Sequence, residues 1–161
     1  MKIKLVVVGK LKEPFLKDMC NEYIKRLTPY ANVEVFEVPD ELPQANSSLK
    51  DEENCRNKEG EKILSKIKDN EYVYLLDLHG KQIDSVCFAR DIENLMSNGN
   101  SILTFVIGGS TGVSFSLIKR ANFRLCLSPM TFTHLMTRGI LLEQIYRAFM
   151  IINDKTYHTL H

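Results

Sequence analysis

The strongest constraint on the fold is an alternation. Short runs rich in β-branched residues recur along the chain, and each is followed by a segment with helical spacing. Ile3–Gly9 is continuously apolar and closed by glycine, the pattern of a strand buried on both faces. Pro14–Leu27 sets Phe15, Met19, Tyr23 and Leu27 on one face and predicts a helix. Further strands are predicted over Val33–Val38, Tyr72–Leu78, Ile102–Gly109 and Phe123–Ser128. Further helices are predicted from about Lys50 to the apolar end at Ile63, Leu64 and Ile67, over Ser85–Met96, over Ser114–Arg120, and over Phe132–Ile152. Pro39–Ser48 is the most loop-like stretch. Strands that return through helices make a parallel sheet with helices on both faces. The expected fold is therefore α/β with five strands, in one domain spanning residues 1–161.

Composition narrows the function. A formal charge of +1 gives no strongly basic arm, although it leaves room for a local basic patch. Cys20, Cys55, Cys87 and Cys126 are widely spaced, with no CxxC pair and no zinc spacing, so free thiols and no metal are expected. The apolar run before Gly9 and Lys10 is too short for a signal-peptide core or a membrane span. The expectation is a soluble, cytoplasmic protein.

In sheets of this kind ligands sit at the carboxyl ends of strands. Three strand ends qualify, after Leu78, after Ile107 and after Leu127. The second carries GGSTG (Gly108–Gly112), which is neither GxGxxG nor a phosphate-binding P-loop. Gly108 and Gly109 would let a ligand approach main-chain atoms; equally, the motif is a strand-to-helix turn needing positive φ. The third carries LSPMTFTH (Leu127–His134), where Pro129, Met130 and Phe132 put apolar groups in a loop. Such a loop suits a flat heteroaromatic ring, or it packs on the protein beneath it. Thr131 or Thr133 can cap the following helix. In that helix Glu143 and Arg147 are spaced to pair, and LLEQIYRAF is apolar on most sides, so the helix is buried in the monomer or against a partner.

GGSTG, LSPMTFTH, the following Arg138, LLEQIYRAF and a terminal Tyr157-His158 occur in that order. Together they resemble the RlmH family of SPOUT-class methyltransferases, which methylate N3 of a pseudouridine in large-subunit ribosomal RNA. The resemblance extends to the opening KLVVVGKLK and to YVYLLDLHGK. It implies a C-terminal trefoil knot, an S-adenosylmethionine cofactor and a homodimer. It also implies cofactor contacts from Leu76, Gly108, Gly109, Leu127, Ser128, Pro129, Met130, Thr131 and Phe132. The substrate would be ribosomal RNA of the large subunit or the assembled ribosome. Catalytic roles would fall to His158 as base, Tyr157 on the nucleobase and Arg138 on a phosphate or developing anion. The chain departs from the family pattern at Thr133, where proline is usual, at Asp154, where glycine is usual, and at Thr159, where a basic residue is usual. Those departures keep a second reading open, an inactive or retargeted paralogue that methylates a ribose 2′-hydroxyl or binds RNA without methylating it. The tail itself, NDKTYHTLH, has too little apolar area to order alone, and is expected to fold over the site only when RNA is present.

Overall fold

The structure, a computed structural model, describes residues 1–159. In chain order the elements are β1 (Lys2–Val8), α1 (Pro14–Leu27), β2 (Asn32–Val38), α2 (Leu49–Leu64) and β3 (Tyr72–Lys81). They continue as α3 (Ser85–Ser97), β4 (Ile102–Ile107), α4 (Phe115–Arg120), β5 (Phe123–Leu125) and α5 (His134–Ile152). The five strands form one parallel sheet in the order β2-β1-β4-β3-β5. Leu5 sits between Val35 and Phe105 in the register.

Side chains alternate across the sheet, and each face has its own core. Ile3, Leu5 and Val7 join Leu103, Phe105 and Ile107 under α1, α3 and α5. Val6, Val8 and Val106 pack on the other face with Ile63 of α2 and Leu117 of α4. The strands lie between two helical layers, so their apolar runs are unbroken.

Local chemistry starts the helices where the sequence permits. Ser48 and Asp51 form a reciprocal capping box at α2. Asp84, Ser114 and Thr133 each accept a backbone N–H at the starts of α3, α4 and α5. Capping by Thr133 begins α5 at His134, two residues later than the expected Phe132. β5 is also shorter than its expected range. Its partner β3 shifts register between Leu76 and Lys81, so the ladder ends at Leu125. The freed residues become the cavity loop described below.

α5 bears out the burial expected of it, and its own chain supplies the cover. Leu141, Leu142, Ile145, Ala148 and Phe149 join the core beneath α1 and α3. The tail differs from expectation in having contacts of its own, because Tyr157 and His158 pack on α5. Tyr157 donates to Glu143 at 3.0 Å, and Arg147 lies over the Tyr157 ring at 4.8 Å. Stacking area and a shared carboxylate offset the chain entropy that the polar composition suggested would win. Asp154 sits at φ +53, the left-handed region, which accounts for glycine being favoured at this turn. The strand order and the path of residues 126–133 back to α5 are compatible with a C-terminal knot.

Candidate functional site

The carboxyl ends of β4, β3 and β5 surround a cavity of about 1030 Å³. One wall is Leu76 to His79 at the end of β3, a second is Ile107 to Val113, and a third is the loop after β5. The first turn of α5, from His134 to Thr137, closes one side with Phe15 and Leu16 of α1. Eight of the nine expected cofactor residues line it: Leu76, Gly108, Gly109, Leu127, Ser128, Met130, Thr131 and Phe132. Pro129 does not border the cavity. Its neighbour Ser128 shapes the loop, accepting the Met130 amide at 3.0 Å on its hydroxyl and the Cys126 thiol at 3.2 Å on its carbonyl.

The glycines serve the wall itself. Only Gly112 of the GGSTG turn requires positive φ, at +94, and its amide donates to the Gly109 carbonyl at 3.1 Å. A Cβ on Gly108 would lie 2.9 Å from the Gly112 carbonyl oxygen. A Cβ on Gly109 would lie 2.9 and 3.0 Å from the Glu59 carboxyl oxygens and 3.0 Å from Val8. The space that glycine leaves at both positions is thus filled by protein behind the cavity. Glu59 is 3% exposed and donates nothing; its Oε2 accepts the Glu41 amide at 2.9 Å. Burial pushes its carboxyl above the ordinary range, against the Glu41 hydrogen bond.

Charge around the cavity is unevenly satisfied. Asp77 pairs with Arg124 at 2.7 Å and accepts the His79 amide at 2.9 Å. His134 points Nε2 at Asp40, 3.7 Å away, and that nitrogen is buried without a hydrogen-bond partner. Arg56 of α2 reaches over the glycine turn and donates to the Thr111 carbonyl at 3.2 Å. Phe15, Leu78, Met130 and Met136 leave large apolar side chains exposed around the mouth.

The three residues expected to do the chemistry are not brought together within one chain. Arg138 is 3% exposed and does not border the cavity. It binds Glu37 at 2.7 Å and the Gly9 carbonyl at 3.1 Å. Tyr157 and His158 follow the end of α5 but fold back onto its middle, Tyr157 against Glu143 and Tyr146 and His158 with its Nδ1 3.1 Å from Arg147. Neither borders the cavity: Glu143 stands nine residues along α5 from His134, about 14 Å of helix. Arg56 and Glu59 border or back the cavity and escaped the sequence reading, while His79 borders it at the strand end after Leu78. Arg56 had no distinguishing signal, since it stands among charged residues of a solvated-looking helix.

Three comparisons bear on this geometry. A family model described as "Predicted SPOUT methyltransferase" matches residues 1–158. A protein of Ruminiclostridium cellulolyticum named ribosomal RNA large subunit methyltransferase H is 50% identical over 158 residues, covering 98% of this chain and 99% of that protein. The Clostridium acetobutylicum protein of the same name is 51% identical over the same shares. A solved methyltransferase structure from Legionella pneumophila, in complex with the bound cofactor SAM, superposes with a TM-score of 0.50 at 12% identity. It covers 92% of this chain, which spans 66% of that structure's length, and it supports the fold alone. A family model matched along nearly the whole sequence, and relatives half identical over the same span, place this chain in the SPOUT methyltransferase family.

Proposed function

We propose that this chain is an S-adenosylmethionine-dependent methyltransferase acting on N3 of a pseudouridine in large-subunit ribosomal RNA, in the cytoplasm. The observation that carries this reading is the cavity at the strand ends, walled by the GGSTG turn and the LSPMTF loop. Its size, its apolar loop and its main-chain edges suit an adenosine. Leu76, Gly108, Leu127, Ser128 and Met130 to Phe132 would hold the cofactor, which when bound supplies an electrophilic methyl group.

The protein's part is alignment and proton removal. Holding nucleobase and cofactor in one geometry converts a bimolecular step into a unimolecular one. The N3–H of the base is a weak acid, and His158 takes that proton as attack proceeds, a contribution of about 10²–10⁴-fold. Tyr157 stacks on the base or donates to it. Burial and its hydrogen bonds, one of them to Glu143, raise its phenol, so it remains a donor throughout the neutral range. Because neither residue borders the cavity of its own chain, Tyr157 and His158 serve the cavity of a second copy. The exposed apolar rim of Phe15, Leu78, Met130 and Met136 supports a homodimer that covers the mouth. Arg138 acts as a clamp behind the site.

The test uses ribosomes lacking the modification, labelled cofactor and mass analysis of the digested RNA. Methyl on pseudouridine N3 supports the reading. Methyl on a ribose 2′-hydroxyl, or RNA binding with no transfer, establishes the retargeted or inactive paralogue instead. Light scattering at micromolar concentration should report twice the chain mass.

A further inference from the structure

We infer that Arg56 is the recognition site for the carboxylate at the amino-acid end of the cofactor. The inference rests on the reading that this cavity holds S-adenosylmethionine. If the purine occupies the apolar loop at Leu127 to Phe132, the rest of the molecule runs along the Gly108 to Gly112 wall. Its far end carries a carboxylate, which needs a cationic partner in a partly buried place.

The guanidinium groups at the cavity differ in their commitments. Arg124 is held by Asp77 at 2.7 Å. Arg56 is half-buried on α2, borders the cavity, and has no carboxylate partner among the described residues. Its one hydrogen bond goes to the Thr111 carbonyl at 3.2 Å, through Nη1. That bond fixes the side chain across the glycine turn and leaves the remaining N–H groups of the fork free. Gly112, at φ +94, shapes the turn beneath this side chain, its Cα side in ordinary contact range of the Arg56 Cδ. The hydroxyl of the same Thr111 is buried without a partner, a second donor available at this end of the cavity. A planar fork held by its own turn is pre-organised for a carboxylate, and little rotamer freedom is lost on binding.

The experiment compares two probes by calorimetry. S-adenosylhomocysteine carries the amino-acid end; 5′-methylthioadenosine keeps the purine and ribose and lacks it. Wild type should bind the first more tightly. Arg56→Gln should weaken S-adenosylhomocysteine about 10-fold to 100-fold, the range of one lost charged hydrogen bond, and change 5′-methylthioadenosine less than about two-fold. Arg56→Lys should fall between, since it keeps the charge without the fork. Unchanged binding of 5′-methylthioadenosine also reports that the variant is folded. Equal losses for both probes overturn the inference, because Arg56 would then support the wall alone. Unchanged affinity for both also overturns it; a loss confined to RNA binding would mark Arg56 as a phosphate contact instead. A wild type that binds 5′-methylthioadenosine as tightly as S-adenosylhomocysteine removes carboxylate recognition altogether. A wild type that binds neither probe refutes the cofactor reading of the cavity, and this inference with it.

Discussion

Arg138 and Glu37 stand 101 positions apart in the chain and meet at 2.7 Å. The same Glu37 oxygen accepts the Leu11 amide at 3.4 Å, and the second arm of Arg138 holds the Gly9 carbonyl at 3.1 Å. One guanidinium therefore ties α5 to β2 and to the loop that leads into α1. Gly9 is tightly enclosed there at φ +95, where a Cβ would lie 2.9 Å from Asp40 and 3.1 Å from His134. The clamp positions the first turn of α5, and with it one side of the cavity.

Arg138→Ala should lower stability by about 2–3 kcal/mol, the cost of losing hydrogen bonds made by a charged group. Cofactor affinity should fall with it, and Arg138→Lys should recover part of both. Thermal melting beside calorimetry with S-adenosylhomocysteine checks this. An alanine variant with unchanged melting and affinity but no methyl transfer would assign Arg138 to the substrate.

Gly109→Ala should destabilise before it obstructs any ligand. The added methyl meets the Glu59 carboxyl at 2.9 Å and Val8 at 3.0 Å. Overpacking of this kind costs about 1–3 kcal/mol. The turn must shift toward the cavity to relieve it, so cofactor binding should weaken in step. Gly109→Val should be worse in both respects. Loss of binding with a wild-type melting temperature would mean that the methyl points into ligand space.

Two buried carboxylates should give opposite pH slopes. Burial opposes ionisation of Glu71, yet the Lys4 ammonium at 2.7 Å and the Lys68 amide outweigh it, and its carboxyl is held below the ordinary range. That stability is complete above the unfolded carboxylate value of about 4.3 and is lost as pH falls through the lower folded value. Glu71→Gln should flatten the acid limb and cost about 3 kcal/mol at neutral pH by leaving Lys4 unpaired. Glu59 is raised instead, so its contribution is complete below the unfolded value and declines as pH rises through the folded one. Glu59→Gln should remove that decline. Denaturant melts from pH 3 to pH 8 measure both slopes.

Removal of the chain from Tyr157 onward should leave affinity for S-adenosylhomocysteine within about two-fold, since neither Tyr157 nor His158 borders its own cavity. Methyl transfer should be abolished. Mixing the truncated chain with a full-length chain disabled in its cavity should restore part of the activity, if each tail serves the other copy. Undiminished transfer by the truncated chain would move the chemistry to the cavity wall, where His134 is the next candidate, with His79 on the same wall.

The sequence by itself determined the layer architecture, because burial on both faces writes a continuous apolar run and each intervening helix has its own spacing and cap. Ile3–Gly9 and Ile102–Gly109 were legible for that reason. The cavity was legible as well, since glycines and apolar side chains at strand ends break the usual loop composition. Only the tertiary structure decided what depends on distance between remote residues. Nothing local distinguishes Arg138, committed to Glu37, from Arg56, committed to a single carbonyl. Nothing local shows that Tyr157 reaches back to Glu143, or that the gap at Gly109 is filled by Glu59. A charge carries no mark of its partner in the sequence. The sheet order β2-β1-β4-β3-β5 and the packing of α5 assign the partners, and they separate the tail from the cavity within one chain.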